Sequence, residues 1–346
     1  MDVIIEKTHA LGRIRLNRPK AINALTLPMI EAIAHALPNF AADPAIAAVL
    51  ITGEGERGLC AGGDIRALYD SRANAGPHAE AFFRAEYRMN AAIKAYPKPY
   101  VAIMDGITMG GGVGVSAHGS VRIVTERTRM AMPETGIGFY PDVGGTWLLS
   151  QSPGEFGTYL GLTGDSFGGA DAILAGFADH FVTSSQLPAL IAALEAMPAT
   201  ATLQTVQALV KGFSESHEPP HTPYLPEIDR AFAHDRLEDI IAALQASNSD
   251  FAKKTLAVMA QKSPTSMKVT LKLLRLARGS QNLEACLERE FIATQRVVLS
   301  DEFYEGVRAA VVDKDRAPRW NPDKPEAVTD DLVNSYFTID LPKLFP

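Results

Sequence analysis

Residues 99–145, PYVAIMDGITMGGGVGVSAHGSVRIVTERTRMAMPETGIGFYPDVGG, are the stretch around which the rest of the chain is organised. The apolar run at 100–104 predicts a buried strand, and three consecutive glycines follow at 110–112. A second apolar run follows, and the stretch ends with Glu134 and Asp142 in a setting rich in glycine and proline. Unblocked backbone amides beside two closely spaced acids suggest chemistry on an acyl group.

The composition is that of a globular protein with a modest negative charge. The chain has 346 residues, 47% of them hydrophobic, and a net charge of −7. This length predicts one large domain or two smaller ones. The negative charge argues against nucleic acid or an anionic membrane as a main partner. No run approaches the ~18 apolar residues of a membrane span, and no signal peptide is predicted.

Cysteine and histidine usage predicts a reducing compartment and no metal centre. Cys60 and Cys286 are far apart and form no CxxC pair, which favours the cytoplasm. A mitochondrial chain that had lost its transit peptide would look the same. His118, His180 and the other histidines show no metal-ligand spacing, so no metal site is predicted.

The pattern of elements predicts an α/β fold followed by helices. A hairpin is expected within residues 3–16, a helix from Thr26 that Pro38 and Asp43-Pro44 end, and a buried strand over 45–52. After residue 182 the pattern is helical, including a helix that Ser263 caps. We therefore predict a core over 1–185 with the acyl site and a mainly helical region over 186–346 that covers the site, with an irregular tail from 316.

Two glycine turns are candidate oxyanion sites. Gly110–Gly112 offers amide donors at a helix start, although close packing of a helix on a strand explains the glycines equally well. Ala61, Gly62 and Gly63 form a second turn, where Asp64 is expected to cap a helix. An oxyanion hole needs two amides that converge on one oxygen, so two turns say more than one. The spacing of GGGVGVS does not fit a dinucleotide site.

The acids each have an ordinary interpretation beside a functional one. Taken singly, Glu134 and Asp142 are acids of a helical first turn. As a pair they could serve as nucleophile and base, or as base and acid. Glu86 could be an ordinary surface acid on a helix, and Cys60 is interpreted as a small buried residue rather than a nucleophile.

Most of residues 1–182 resembles the crotonase superfamily, the enoyl-CoA hydratase/isomerase family. The resemblance is carried by Arg18-Pro19 with Asn23-Ala24-Leu25, AGGDI (61–65), GITMGGGVG (106–114), MPETGIGFYPDVGG (132–145) and LTGDSFGGADAILAGFADHFV (162–182). It implies a spiral core of ββα units and an acyl-CoA thioester as substrate. It also implies that the amides of Gly63 and Gly111 hold the thioester oxygen and that the backbone around Ala61 holds the adenine end of CoA.

Two positions depart from the hydratases of that family. Hydratases carry two glutamates; the second matches Glu134, but the first falls at Gly114. Asp142 stands where hydratases usually have glycine. With Glu86 in FFRAEY and the segment EFYEGVRAAVVDKDRAPRWNP (302–322), these residues resemble the branch of the family that hydrolyses 3-hydroxyacyl-CoA thioesters. The resemblance implies that Glu86, Gly111, Glu134 and Asp142 contact the substrate.

We therefore predict hydrolysis of a short β-hydroxyacyl-CoA, most closely 3-hydroxyisobutyryl-CoA to 3-hydroxyisobutyrate and CoA in valine catabolism. Glu134 would attack to form a mixed anhydride, or act as general base on water. Asp142 would bind the substrate hydroxyl or handle the proton that reaches the thiolate. The alternatives are a hydratase or isomerase with Glu134 as its single acid/base, and a non-catalytic acyl-CoA-binding protein. CoA is part of the substrate, so no cofactor is expected, and a homo-oligomer is possible.

Overall fold

The computed structural model describes residues 1–70, 72, 75–339 and 342–345, which form two compact units. The first unit comprises Met1–Gly63, Ala85–Met130 and Phe167–Pro220; the second comprises Asp64–Arg84, Ala131–Ser166 and His221–Pro346. Each unit is thus assembled from separate segments of the chain. The predicted division at residue 185 stays a prediction.

The first unit is built on a mostly parallel sheet. Six strands follow the order β1-β2-β3-β5-β7-β9, in which β1 and β2 pair antiparallel and the later neighbours pair parallel. A smaller sheet has the order β4-β6-β8. All five residues of β5 are buried, as expected for a parallel strand covered on both faces. In the described residues the strands are β1 Val3–Thr8, β2 Leu11–Leu16, β3 Ala48–Gly53, β4 Gly58–Cys60, β5 Tyr100–Met104, β6 Ile107–Met109, β7 Val121–Val124, β8 Arg129–Ala131 and β9 His180–Phe181.

Helices dominate the C-terminal part of the chain. The predicted α/β class and helical C-terminal region are therefore confirmed. None of the helices that the structure describes is long and apolar enough to cross a membrane. The helices are α1 Leu27–Ala42, α2 Ile65–Asp70, α3 Ala75–Lys94, α4 Gly111–Gly114, α5 Gly145–Ser150, α6 Phe156–Thr163, α7 Gly169–Leu174, α8 Leu187–Glu195, α9 Leu203–Lys211, α10 Leu225–Phe232, α11 Leu237–Ser247, α12 Asp250–Met259, α13 Pro264–Arg278, α14 Leu283–Val297, α15 Asp301–Val307 and α16 Asp330–Ser335.

The core of the first unit lies between the large sheet and two helices. Apolar side chains of β3, β5 and β7 pack against those of α8 and α9, including Leu50, Val101, Ile123, Leu190 and Val206. Burial of such side chains contributes roughly 1.5–3 kcal/mol each. The packed sheet gives a rigid base for β4 and β6, two parallel neighbours in the small sheet that lead into the two glycine turns.

The second unit is organised around α13, whose inner face is buried and which packs against α5 and α6. Ser263 caps α13 by accepting a hydrogen bond from the Ser266 amide at 3.0 Å, as predicted. Asp64 likewise accepts from the Ala67 amide at the start of α2, at 3.4 Å. Both capping predictions are therefore confirmed.

Some predicted boundaries are wrong. Helix α1 does not end at Pro38, because buried Leu37 and Phe40 on either side of the exposed proline hold the chain in the helix. It ends at Ala42, directly before Asp43-Pro44, as that pair predicted. Thr26 occupies the N-cap position of α1 but makes no side-chain capping bond. The tail is not irregular throughout, since it contains α16; positions 340, 341 and 346 of that tail lie outside the described residues.

Candidate active site

The two glycine turns of the first unit meet at one point. Gly63 follows β4 and Gly111 opens α4 after β6, and the carboxyl ends of these parallel strands share an edge. A β-carbon added at Gly111 would lie 3.2 Å from the amide nitrogen of Gly63. No acceptor among the described residues takes a hydrogen bond from either amide. Two available donors at this separation suit one carbonyl oxygen that becomes an oxyanion.

Glu86 lies at the same point. It comes from α3, is 2% exposed, and its Oε1 would be 2.6 Å from a β-carbon on Gly111. The interpretation of Glu86 as an ordinary surface acid is therefore wrong. Its role as a substrate contact stays a prediction, but the structure does bring Glu86, Gly63 and Gly111 together.

The segment before α1 holds the first glycine turn in place. The Leu25 amide donates to the Gly62 carbonyl at 2.8 Å, and the Ala61 amide donates to Ile22 at 2.9 Å. Ala61 is exposed, and its predicted contact with adenine stays a prediction.

Asn23 is the buried link between this segment and the strand that carries the turn. Its side-chain oxygen accepts from the Arg18 amide at 2.8 Å, and its side-chain nitrogen donates to the Gly58 carbonyl at 3.2 Å. Sequence reasoning used Asn23 only as part of a motif and missed this function. The contact could not be inferred, because Asn23 and Gly58 are distant in the sequence.

Cys60 is a structural residue, as predicted. Its thiol is fully buried, and burial raises the pKa of that thiol to about 12. The sulfur accepts a hydrogen bond from the Gly62 amide at 3.4 Å. A buried thiol with a raised pKa is a poor nucleophile, so Cys60 shapes the turn and does not attack the substrate.

In the second unit, Glu134 opens the 3₁₀ helix Glu134–Ile137, as the proline before it predicted. The residue is 6% exposed. The Ser263 amide donates to the Thr135 carbonyl at 3.0 Å, which fixes the turn to the start of α13. Glu134 is therefore a buried acid on an anchored turn rather than a solvated one.

Lys262 is a cation beside this turn that sequence reasoning missed. Its Nζ would lie 3.5 Å from a β-carbon on Gly136. Burial lowers the pKa of Lys262, while the carboxylates of Asp165 and Glu134 oppose that shift. The ammonium group thus favours negative charge on the Glu134 turn. Lys262 is far from this turn in the sequence and reaches it only through the fold. No local sequence pattern could therefore predict the contact.

Asp142 is also buried, at 6% exposure, and lies before α5 rather than in its first turn. Its carbonyl accepts from the Gly145 amide at 2.6 Å. Glu134 and Asp142 are thus two buried carboxylic acids on one loop. Their catalytic roles stay predictions.

Two further buried acids, Glu290 and Glu302, were not singled out from the sequence. Burial raises the pKa of each to about 7, against hydrogen bonds that favour the carboxylate. Each lies within a helical pattern whose period indicates only which face is buried. Among the described residues, no group of three or more histidine, cysteine or acidic side chains could hold a metal ion.

The comparisons with known proteins agree with the resemblance. Residues 11–337 match the sequence model of a family described as enoyl-CoA hydratase/isomerase. This chain belongs to that family. The predicted crotonase membership is thus confirmed.

Curated relatives match over nearly the whole chain. A Xenopus tropicalis protein named 3-hydroxyisobutyryl-CoA hydrolase, mitochondrial, is 43% identical over 97% of this chain and 89% of its own length. The Homo sapiens protein of the same name is 40% identical over 97% of this chain and 88% of its own length.

Solved structures match equally well but carry other names. A carnitinyl-CoA dehydratase from Mycobacterium thermoresistibile has a TM-score of 0.94 and 44% identity, covering 99% of this chain and 98% of its own. An enoyl-CoA hydratase from Rhodobacter sphaeroides 2.4.1 has a TM-score of 0.89 and 42% identity, covering 98% and 97%. The family and fold are therefore shown, while the relatives' names differ in the reaction.

Proposed function

We propose that this chain hydrolyses the thioester of a short 3-hydroxyacyl-CoA, with 3-hydroxyisobutyryl-CoA as the preferred substrate. The observation that carries the proposal is the meeting of the Gly63 and Gly111 amides, which suits a thioester carbonyl oxygen. The names of the curated relatives support the choice of reaction and of acyl group. On this proposal the chain acts in valine catabolism, and CoA enters as part of the substrate rather than as a cofactor.

In the proposed reaction, the Gly63 and Gly111 amides polarise the thioester C=O and then stabilise the tetrahedral oxyanion. Removal of one such donor typically costs roughly 10²–10³ in rate. Backbone donors need no reorganisation during the reaction, and a glycine at 111 leaves room for the acyl carbon. The buried Glu86 lies next to this space and is proposed to contact the acyl group.

Glu134 is the proposed nucleophile. Its carboxylate attacks the thioester carbon, and collapse of the tetrahedral intermediate breaks the C–S bond and expels CoA thiolate, which takes up a proton. Water then opens the mixed anhydride to give the hydroxyacid and restores Glu134. If Glu134 instead removes a proton from water, that water attacks directly and the products are the same.

Asp142 is the proposed partner of the substrate's 3-hydroxyl group. A carboxylate accepts a hydrogen bond from a hydroxyl, and a site built around such a bond discriminates strongly against substrates that lack it. Asp142 could alternatively deliver the proton that the thiolate needs. In both roles its burial strengthens the interaction, because water does not compete.

Hydration of an enoyl-CoA is the second candidate, favoured by the names of the two solved relatives. Against it, the position that matches the first hydratase glutamate is Gly114, a buried residue at the end of α4. Glu134 would then have to serve as the single acid/base. It would remove a proton from the attacking water and also supply the proton that the substrate gains. Thioester hydrolysis makes no such demand, since thiolate is a good leaving group.

The location and assembly remain part of the proposal. The curated relatives are named mitochondrial, and we propose the mitochondrial matrix for a processed eukaryotic chain or otherwise the cytoplasm. The acyl-CoA is the proposed small-molecule partner. The predicted homo-oligomer stays a prediction.

Glu134→Gln tests the proposal. The amide keeps the size of the side chain but is neither a nucleophile nor a base, so we expect release of free CoA from 3-hydroxyisobutyryl-CoA to fall by roughly 10³ or more. The thermal midpoint should stay close to that of the wild type. The matched control is Glu126→Gln, an exposed acid that bonds the Ser184 amide, which should retain full turnover. Near-normal turnover in Glu134→Gln would refute the assignment.

A further inference from the structure

The turn that follows Asp142 has an unfavourable backbone conformation. Val143 has φ of +54° and Gly144 has φ of +77°, so two consecutive residues are left-handed. This conformation is rare for a β-branched residue such as valine and persists only where surrounding contacts hold it. The contacts around the turn therefore decide where Asp142 is placed.

Glu290 of α14 supplies those contacts. Its carboxylate accepts hydrogen bonds from the Gly144 amide at 2.8 Å and the Thr146 amide at 3.2 Å, and also from the Thr146 hydroxyl. The residue is fully buried. The carboxylate thus takes the place of a capping side chain at the start of α5, but it comes from another helix.

The same part of α14 holds the chain on the other side of Asp142. The buried Tyr140 hydroxyl donates to the backbone carbonyl of Glu290, and it lies 2.7 Å from Thr294 Oγ1. Asp142 therefore lies between two anchors, at residues 140 and 144–146, that both end on one turn of α14. These bonds restrict how far the backbone at Asp142 can move.

The Glu290 carboxylate lies in a buried position that disfavours negative charge. Burial disfavours its charged form, whereas the three donors and the nearby Arg289 favour it. The other titratable groups that face it are Cys286 on the same helix and Tyr140 on the turn. Since the carboxylate bonds three groups of the turn, the structure points to an effect of Glu290 on the conformation of that turn.

We propose that Glu290 is a positioning residue, which fixes the Asp142 carboxylate by holding the turn at 143–146. This inference rests on the proposed function, because it requires Asp142 to take part in substrate recognition or conversion. It assigns Glu290 an effect through Asp142 and none on the oxyanion donors Gly63 and Gly111. Its loss should therefore matter only while Asp142 is present.

A double-mutant cycle tests this dependence. We expect Glu290→Gln to lower kcat/KM for CoA release from 3-hydroxyisobutyryl-CoA by roughly 10–100-fold, because small displacements of reacting groups have effects of this size. In an Asp142→Asn background the same change should cost no more than about twofold. A purely structural role would lower both backgrounds by the same factor.

Two further variants guard the interpretation. Glu288 lies on the same helix, and its carboxylate accepts hydrogen bonds from the Leu344 and Phe345 amides at 3.1 and 2.9 Å. Glu288→Gln should leave kcat/KM unchanged. Thr146→Val removes only the hydroxyl donor and should show a smaller loss with the same dependence on Asp142; it replaces Glu290→Gln if that variant does not fold.

Several results would overturn the inference. Equal losses in both backgrounds would contradict it, as would an Asp142→Asn variant with wild-type turnover. Wild-type protein that hydrolyses the thioester while the losses are additive refutes the inference alone. Wild-type protein that releases no CoA refutes the proposed function, and the inference with it.

Discussion

At the scale of single residues, the proposed site depends on the absence of a side chain at Gly111. Its φ is not in the left-handed region, so backbone strain does not explain the glycine. Space does, because a β-carbon there would approach both the Gly63 amide and the Glu86 carboxylate.

Gly111→Ala should give a folded but inactive protein. We expect CoA release to fall by roughly 10²-fold or more, because the added methyl fills the space between the two donors. The added β-carbon would lie 2.6 Å from Glu86 Oε1, so the buried Glu86 side chain must shift, and we expect the midpoint of thermal unfolding to drop by several degrees while the protein still folds. Gly168→Ala is the matched control, since a β-carbon at Gly168 would meet nothing within 4 Å. A Gly111→Ala protein with wild-type turnover would show that this space holds no reacting group.

Residue types with a local signature could be predicted from the sequence, and residues that act across the fold could not. The glycine turns at 63 and 111 and the acid at 134 stand in recognisable local patterns. Asn23, Lys262 and Glu290 act on turns that are remote from them in sequence. A single sequence carries no signal that pairs Glu290 with residues 144–146, because a buried position on α14 looks like any other.

At the scale of elements, α6 and α13 are joined by a cluster of charges. Glu155 precedes α6 and bonds Arg278 at 2.6 Å and Arg275 at 3.1 Å, both on α13, as well as the Thr158 hydroxyl at 2.7 Å. Burial alone would raise the pKa of Glu155, but these partners lower it overall. The acid also meets the positive end of α6, so it links helix capping with packing.

Glu155→Ala should destabilise the fold by about 1–3 kcal/mol, because it removes charge-assisted hydrogen bonds from Arg278 and Arg275. Arg275 keeps its ion pair with Asp235 at 2.9 Å, which limits the loss. Denaturant unfolding measures the loss. Asp70→Ala is the control, because its ion pair with Arg66 is exposed on both sides and should contribute less than about 0.5 kcal/mol. Equal losses in the two variants would show that the cluster does not join the helices.

Periodicity predicted the type of most elements but not all of their ends. The strands over 48–53 and 100–104 and helix α13 follow directly from apolar runs and caps. Helix α1 continues past Pro38 because tertiary burial of Phe40 outweighs the local signal. Helix α16 was missed, since a short helix in a proline-rich tail has little periodic pattern.

At the scale of the whole molecule, the buried acids couple stability to pH. The pKa of Glu290 and of Glu302 is raised to about 7, well above the ordinary value of 4.5. Between pH 4.5 and about pH 7, Glu290 and Glu302 are protonated in the folded protein more often than in the unfolded chain. The contribution of these two acids to the free energy of unfolding therefore falls as the pH rises towards their pKa in the folded protein.

We expect the free energy of unfolding to decrease between about pH 4.5 and pH 7, with each buried acid contributing roughly 1–3 kcal/mol of the change. Glu302→Gln should flatten this slope, because the amide does not titrate. Glu31→Gln, on the exposed face of α1, should keep the wild-type slope. Denaturant titrations across this range provide the measurement, and an unchanged slope in Glu302→Gln would contradict the account.

Some features of the whole chain can be predicted from the sequence, and others cannot. The family, the α/β class and the two glycine turns could be predicted, because short segments of the sequence indicate each of them. The assembly of each compact unit from separate segments could not, since periodicity and capping signals act locally and say nothing about distant segments. Family membership also leaves the reaction open, because one fold supports several chemistries.

The most direct test of the central claim compares two reactions of the wild-type protein. Purified protein is given 3-hydroxyisobutyryl-CoA with a thiol reagent, and separately a 2-enoyl-CoA with absorbance of the conjugated thioester as the signal. We expect stoichiometric release of free CoA from the first substrate and little or no loss of enoyl absorbance from the second. Rapid loss of enoyl absorbance without release of thiol from either substrate would contradict it.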